Sequence, residues 1–209
     1  MKNFFRYVFI VGSIAIVLIL VGASVEKLFK LNAMDTGSML FPEGSIEHHY
    51  KNHLLLGYLH IVPGLAFLVL GGHQIIPYFR LRNYPLHRTL GKVFLLLSAL
   101  LFSTAIVLGP FYPFGNILES VVTLVFGLYL LFATYKAYSA ARNKQFEVHK
   151  KWVTRLYFVA LSVSTIRGII ALFMIQGAQT MQAIFGLAFL LAFILHFILV
   201  EIWIRYLAK

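Results

Sequence analysis

Residues 182–206 have the sequence QAIFGLAFLLAFILHFILVEIWIRY, in which only a glutamate and an arginine near the end are charged. About 20 mostly apolar residues in a helix are enough to cross the hydrocarbon core of a bilayer. Five other stretches have the same character. We therefore predict an all-α, polytopic membrane protein, a six-transmembrane-helix bundle that forms a single integral membrane domain over residues 1–209. The predicted spans are about 4–25, 53–76, 90–110, 117–138, 152–175 and 182–206.

The composition of the whole chain supports this interpretation. Of its 209 residues, 60% are hydrophobic and 12% are charged, whereas soluble domains average about 25% charged residues. There is no cysteine, which excludes disulfides, iron–sulfur clusters and thiolate metal sites. The net charge of +11 lies in loops beside apolar spans, where basic residues set topology and contact anionic lipid head groups. No nucleic-acid partner is predicted, because no basic recognition face accompanies the charge.

Positive charge falls almost entirely in alternate loops. The N-terminal tail, the second connection, the fourth connection and the C-terminal end carry two, four, six and two lysines and arginines. The first loop carries three, and residues 111–116 and 176–181 carry none. The positive-inside rule then predicts that both termini are cytoplasmic, N-in/C-in, in the cell membrane. Residues 26–52 form the predicted outer loop, a polar cap over the bundle.

Histidine and arginine collect at the predicted cytoplasmic ends of the spans. Neutral imidazole ligates haem iron, and guanidinium pairs with carboxylates such as haem propionates. His87 and His149 each follow a basic loop, and a parallel repeat of two helix pairs would relate them. The first hypothesis is a redox protein that binds one b-type haem near the cytoplasmic face, with a quinone or an electron-transfer protein as partner. The alternative is that these residues only contact lipid phosphate and water. The candidate cofactor-binding residues are His87, His149, His73, His196, Arg88 and Arg155.

Two ionisable residues lie deeper in the predicted outer half, His60 in the second span and Arg167 in the fifth. Arginine keeps its charge, so Arg167 needs a carboxylate, backbone carbonyls or an anionic ligand. Eighteen residues before it, His149 lies on the same face of a regular helix, together with Ala160 and Ser164. The second hypothesis is therefore a transporter or binding protein for a small anion. The alternative is that backbone carbonyls satisfy Arg167 and a neighbouring helix satisfies His60.

A third set of histidines lies at the predicted outer surface. His49 and His53 have i, i+4 spacing, and His60 continues the same face if the segment is helical. Such spacing suits zinc, so the third hypothesis is an outer-face metal-dependent hydrolase. A solvated loop end is the simpler interpretation, and a non-catalytic assembly factor remains a further alternative. The carboxylates that would complete the metal site are Asp35, Glu43, Glu47 and Glu119.

A pattern of polar residues and glycines runs through residues 53–175. The His-Arg pair at residues 87–88, which follows a basic loop, is its most specific part. In this pattern the chain resembles the bacterial predicted membrane proteins catalogued as domain of unknown function 2306. The resemblance implies a helical membrane fold and marks these residues, but it implies no activity. The residues that carry it are His60, Gly64, Gly71, Gln74, Arg80, Arg82, His87, Arg88, Gly91, His149, Trp152, Arg155 and Arg167.

Overall fold

The computed structural model describes residues 2–37, 41–42, 45–177 and 180–207. Within these ranges the chain is helical without strands, and six helical segments are long and apolar enough to cross a bilayer. The all-helical, six-span prediction is therefore confirmed. Glu43, one of the carboxylates predicted to complete a metal site, lies outside the described residues. The six segments are Tyr7–Asp35, Leu54–Ile75, Tyr84–Phe111, Ile117–Arg142, Phe146–Ile175 and Met181–Tyr206.

The first helix, α1 (Lys2–Asp35), is longer than predicted. The prediction that the outer loop begins at residue 26 is wrong, because residues 26–35 continue the helix. Glu26 and Lys30 pair along it at 2.8 Å, and Leu31 is fully buried. A short helix, α2 (Ile46–His49), follows later in the segment.

A turn of 3-10 helix over Lys51–His53 leads into α3 (Leu54–Ile75). A short helix, α4 (Pro77–Arg82), separates it from α5 (Tyr84–Phe111). The third span therefore begins six residues before its predicted start at residue 90. Asn83 explains this start, because its side chain accepts a backbone N–H of the first turn at 3.0 Å.

The second half of the chain contains α6 (Ile117–Arg142) and α9 (Met181–Ile202), and a π-helical turn over Trp203–Leu207 extends α9. The fifth span between them consists of two helices, α7 (Phe146–Ala160) and α8 (Ser162–Ile175). It begins six residues before the predicted start at residue 152. The predicted face from His149 to Arg167 is therefore interrupted at Leu161.

The helices form a bundle in which sequence neighbours also pack as neighbours. Helix α3 packs against α1 and α5, and α5 packs against α6. Helix α7 contacts α3, α6 and α9, whereas α8 contacts α9 and α1. We call the end that holds the starts of α1, α5 and α7 the basic end, and the other end the opposite end. The start of α1 and the last described turn after α9 both lie at the basic end, where the rings of Phe9 and Trp203 stack with centroids 4.3 Å apart. The assignment of this end to the cytoplasm stays a prediction.

His196 connects α9 to both helices of the interrupted fifth span. Its Nδ1 donates to the carbonyl of Phe158 in α7 at 2.8 Å, and its Nε2 lies 2.8 Å from the hydroxyl of Thr165 in α8. One buried imidazole therefore bonds to both halves of the broken helix. In apolar surroundings an unpaired carbonyl or imidazole would be costly, so these bonds stabilise the interruption at Leu161.

Aromatic packing fills the basic half of the core. The ring of Phe67 stacks on Phe94 at 5.0 Å and meets Tyr157 at 5.6 Å. The Tyr157 hydroxyl donates to the carbonyl of Leu68 at 2.8 Å. Gly71 makes this contact between α3 and α7 possible, because a Cβ at that position would overlap the Tyr157 ring.

We expect Gly71→Ala to lower the stability of the bundle by about 1–3 kcal/mol, the usual cost of overpacking a core. Thermal unfolding in detergent micelles would measure the effect. Gly12→Ala is the matched control, since a Cβ at Gly12 would have no neighbour within 4 Å. Equal unfolding temperatures for the two variants would contradict the packing argument.

Candidate functional site

Three predicted site histidines come together at the basic end. His73 lies near the end of α3, and His87 and His149 are each the fourth residue of their helices, α5 and α7. All three are half-buried. His73, His149 and Arg80 are close enough to His87 to interact with it electrostatically. We call His73, Gln74, His87 and His149 the histidine cluster.

Gln74 holds the cluster together through both ends of its amide. In the orientation that satisfies both ends, the nitrogen donates to Nδ1 of His87 at 3.0 Å and to its carbonyl at 3.3 Å, and the oxygen accepts the N–H of Gly91 at 3.2 Å. Gly91 allows this approach, because a Cβ there would lie 3.0 Å from the Gln74 side chain. Since Nδ1 of His87 accepts a hydrogen bond, the proton of its neutral ring lies on Nε2.

His149 has the opposite tautomer. Its Nδ1 lies 2.8 Å from the carbonyl of Ala137 in α6, so Nδ1 carries the proton and donates it. Nε2 then keeps its lone pair, and we find no partner for it in the part of the chain that the structure describes. Histidines that ligate metals usually donate their other ring N–H to a carbonyl or carboxylate in this way.

His73 is held mainly by ring packing. Its imidazole stacks on Phe79 of α4 with centroids 4.7 Å apart. Its Nδ1 lies 3.4 Å from one end of the Gln74 side-chain amide. In the orientation of the amide described above, that end is the oxygen. Nδ1 then faces an acceptor at this long distance, which favours the tautomer with the proton on Nδ1 and the lone pair on Nε2. The cluster thus offers two lone pairs, on His73 and His149, and one N–H donor, on His87.

The other predicted cofactor-binding residues have different surroundings. Arg155 forms a two-pronged ion pair with Glu201 of α9, with oxygen–nitrogen distances of 2.6 and 3.1 Å, and lies over the Trp152 ring. Both ring nitrogens of His196 are occupied at the bend of the fifth span. Arg88 is exposed. The structure therefore groups the histidines of α3, α5 and α7, and places Arg155 and His196 in contacts between helices.

His60 and Arg167 contact different neighbours. His60 Nδ1 lies 3.1 Å from the hydroxyl of Thr104 in α5, and that hydroxyl donates to a carbonyl of the preceding turn at 2.8 Å. Arg167 is exposed, and its guanidinium lies 3.4 Å from the carbonyl of Val163. It also interacts electrostatically with Glu26 of α1. These contacts do not bring the two residues to one common site.

The histidines predicted to bind metal contact other groups of the protein. His49 Nε2 lies 3.0 Å from the carbonyl of Tyr112, and the ring of His53 packs on Tyr112 at 3.9 Å. Glu119 is buried and accepts a backbone N–H of the preceding loop at 2.6 Å. Among the described residues no group of three or more His, Asp or Glu side chains is placed to hold a metal ion.

Glu47 joins α2 to α1 at the opposite end. One carboxylate oxygen lies 3.1 Å from Nζ of Lys27 and 3.2 Å from Nζ of Lys30. Partial burial opposes ionisation, but the charge of Lys27 and hydrogen bonds from both lysines outweigh it and lower the pKa of the Glu47 carboxyl. This network fixes the segment that precedes α3.

Comparison with known proteins places the chain in a family. The model of the family described as predicted membrane protein DUF2306 matches residues 57–204. The chain belongs to this family. The match includes the whole histidine cluster and continues through α9, beyond the resemblance that ended at residue 175. No curated protein and no solved structure matches the chain. The family description identifies an integral membrane protein and assigns no chemistry.

The ion pairs of Glu47 make the stability of the protein depend on pH. Because the pKa of the Glu47 carboxyl is lowered in the folded state, the ion pairs stabilise the fold at neutral pH. This stabilisation is lost as the pH falls through the lowered pKa. We expect the unfolding temperature of the wild type to fall more than that of Glu47→Gln between about pH 5 and about pH 3, because the loss begins near the ordinary glutamate pKa of about 4.3 and continues below it. Glu147→Gln, at an exposed position, is the control. An equal acid response in all three proteins would contradict this role.

Proposed function

We propose that this protein is a membrane redox protein that binds a b-type haem at the histidine cluster. One observation carries the proposal. His149 donates Nδ1–H to the carbonyl of Ala137 at 2.8 Å, which fixes its ring and leaves the lone pair of Nε2 free, so that His149 would hold the haem. The carbonyl that accepts this bond lies on α6, so two helices determine the orientation of this imidazole.

His73 would be the second residue to hold the haem. Its ring packs on Phe79 and its Nδ1 faces the amide of Gln74, so its Nε2 is also available. His87, with its proton on Nε2, is proposed as a hydrogen-bond donor to a haem propionate, with Arg80 and Arg88 supplying positive charge. Arg155 has no role in the proposed haem site, since its guanidinium already pairs with Glu201.

The position of the cluster suits electron exchange with a partner. It lies at the ends of three helices and is half-buried, so a cofactor there would be within reach of a redox protein at the membrane surface or of a quinone in the bilayer. Burial and nearby positive charge would set the reduction potential of the iron. When bound, the haem would supply one-electron chemistry.

The test is a reduced-minus-oxidised visible spectrum of protein purified in mild detergent after expression with ample haem. We expect a b-type signal in the wild type and its loss in His149→Ala and in His73→Ala. His48→Ala is the control, because His48 lies in α2 at the opposite end. Gel filtration would verify that each variant is folded.

Two results would contradict the assignment. A colourless, folded, haem-supplied wild type would exclude haem binding. Loss of the signal in His149→Ala and His87→Ala but not in His73→Ala would make His87 the second ligand and overturn the argument from tautomers.

A second candidate function is binding or transport of a small anion. It rests on Arg167, for which no described carboxylate lies within ion-pair distance and whose described hydrogen bond is a long one, at 3.4 Å, to Val163. Inorganic phosphate is a suitable probe. Uptake into proteoliposomes that Arg167→Gln abolishes and Arg205→Gln retains would favour this function. Equal uptake by both variants, or uptake no faster than in protein-free liposomes, would exclude it.

A further inference from the structure

A lipid-facing groove runs between α5 and α6 at the basic end. It has a volume of about 370 Å³. Its lining contains no acidic side chain, and its rim is well exposed: Leu96 is 71% exposed and Tyr135 is 63% exposed. The lining residues are Lys92, Leu95, Leu96, Ala99, Leu131, Thr134, Tyr135 and Tyr138.

The groove is polar at one end and apolar at the other. Helix α5 runs away from the basic end, so Lys92 comes first and Ala99 lies deeper. Helix α6 runs toward the basic end, so Leu131 is deep and Tyr138 is shallow. The cation and the two tyrosines therefore lie nearest the membrane surface, and the aliphatic residues lie toward the bilayer centre.

The depth of the polar end matches the lipid head-group region. At 1.5 Å per residue, Lys92 lies about 12 Å along α5 from Tyr84, and Tyr138 lies about 6 Å from the end of α6 at Arg142. A lysine at this depth extends its ammonium group toward the interface and keeps its methylenes in the apolar layer. Tyrosine side chains likewise prefer this level of a membrane.

We propose that this groove binds an anionic phospholipid. The phosphate contacts Lys92 and the hydroxyls of Tyr135 and Tyr138, and one acyl chain lies along Leu95, Leu96, Ala99 and Leu131. Charge complementarity selects this occupant, because a cation without an acidic neighbour in the lining favours an anionic head group over a zwitterionic lipid or a neutral quinone.

This site is separate from the histidine cluster. No cluster residue lines the groove, so the lipid site does not depend on haem binding. The lipid would contact both α5 and α6 on the side of the bundle that faces the bilayer, where Leu96 and Tyr135 are exposed. Occupancy should therefore raise the stability of the helix pair by mass action.

The test is thermal unfolding of the purified protein in detergent micelles that contain increasing amounts of phosphatidylglycerol or of phosphatidylcholine with the same acyl chains. We expect a saturable rise in the unfolding temperature with phosphatidylglycerol that is at least twice the rise with phosphatidylcholine. Lys92→Gln should remove most of this difference. Lys150→Gln, an exposed lysine at the same end and outside the groove, should leave it unchanged.

Filling the groove tests the acyl-chain half of the proposal. Ala99→Phe should abolish the response to phosphatidylglycerol, and Leu96→Trp, at a more exposed position, serves as a second variant if Ala99→Phe fails to fold. Three results would overturn the proposal: equal responses to the two lipids, equal effects of Lys92→Gln and Lys150→Gln, or a larger stabilisation by a menaquinone than by phosphatidylglycerol.

Discussion

The absence of water inside a bilayer is the constraint on which the rest of this structure depends. A polar side chain in a membrane helix must bond to its own backbone, a neighbouring helix or a ligand. Several imidazole, guanidinium and amide side chains of this protein meet the requirement through bonds between helices. His196 bonds to both halves of the fifth span, Arg155 pairs with Glu201 across 46 residues of sequence, and Gln74 joins α3 to α5. These contacts orient the helices as well as satisfying the polar groups.

The same bonds determine the chemical state of the histidines. The carbonyl of Ala137 fixes the proton of His149 on Nδ1, whereas the amide of Gln74 fixes the proton of His87 on Nε2. The two histidines hold the same position in their helices, yet one presents a lone pair and the other presents a donor. Their different partners, rather than their similar sequence context, give them different chemistry.

Features that depend on composition or short spacing could be predicted from the sequence, and features that depend on distant partners could not. Apolar length predicted six spans, and the structure contains six helical segments of that kind. Asn83, two residues before Pro85, was a visible signal for the earlier start of α5. No proline or glycine lies between residues 146 and 167, so no helix-breaking residue indicated the interruption at Leu161. The grouping of His73 and His149 around His87 required the packing of α3 against α5 and α7.

The central claim is that bonds between helices fix opposite tautomers at His87 and His149. Solid-state NMR of protein with ¹⁵N-labelled histidine in lipid bilayers tests it most directly, with resonances assigned by difference from His87→Gln and His149→Gln. The account predicts that the ring proton of His149 resides on Nδ1 and that of His87 on Nε2. The same tautomer at both residues, or rapid exchange between tautomers at either one, would contradict it.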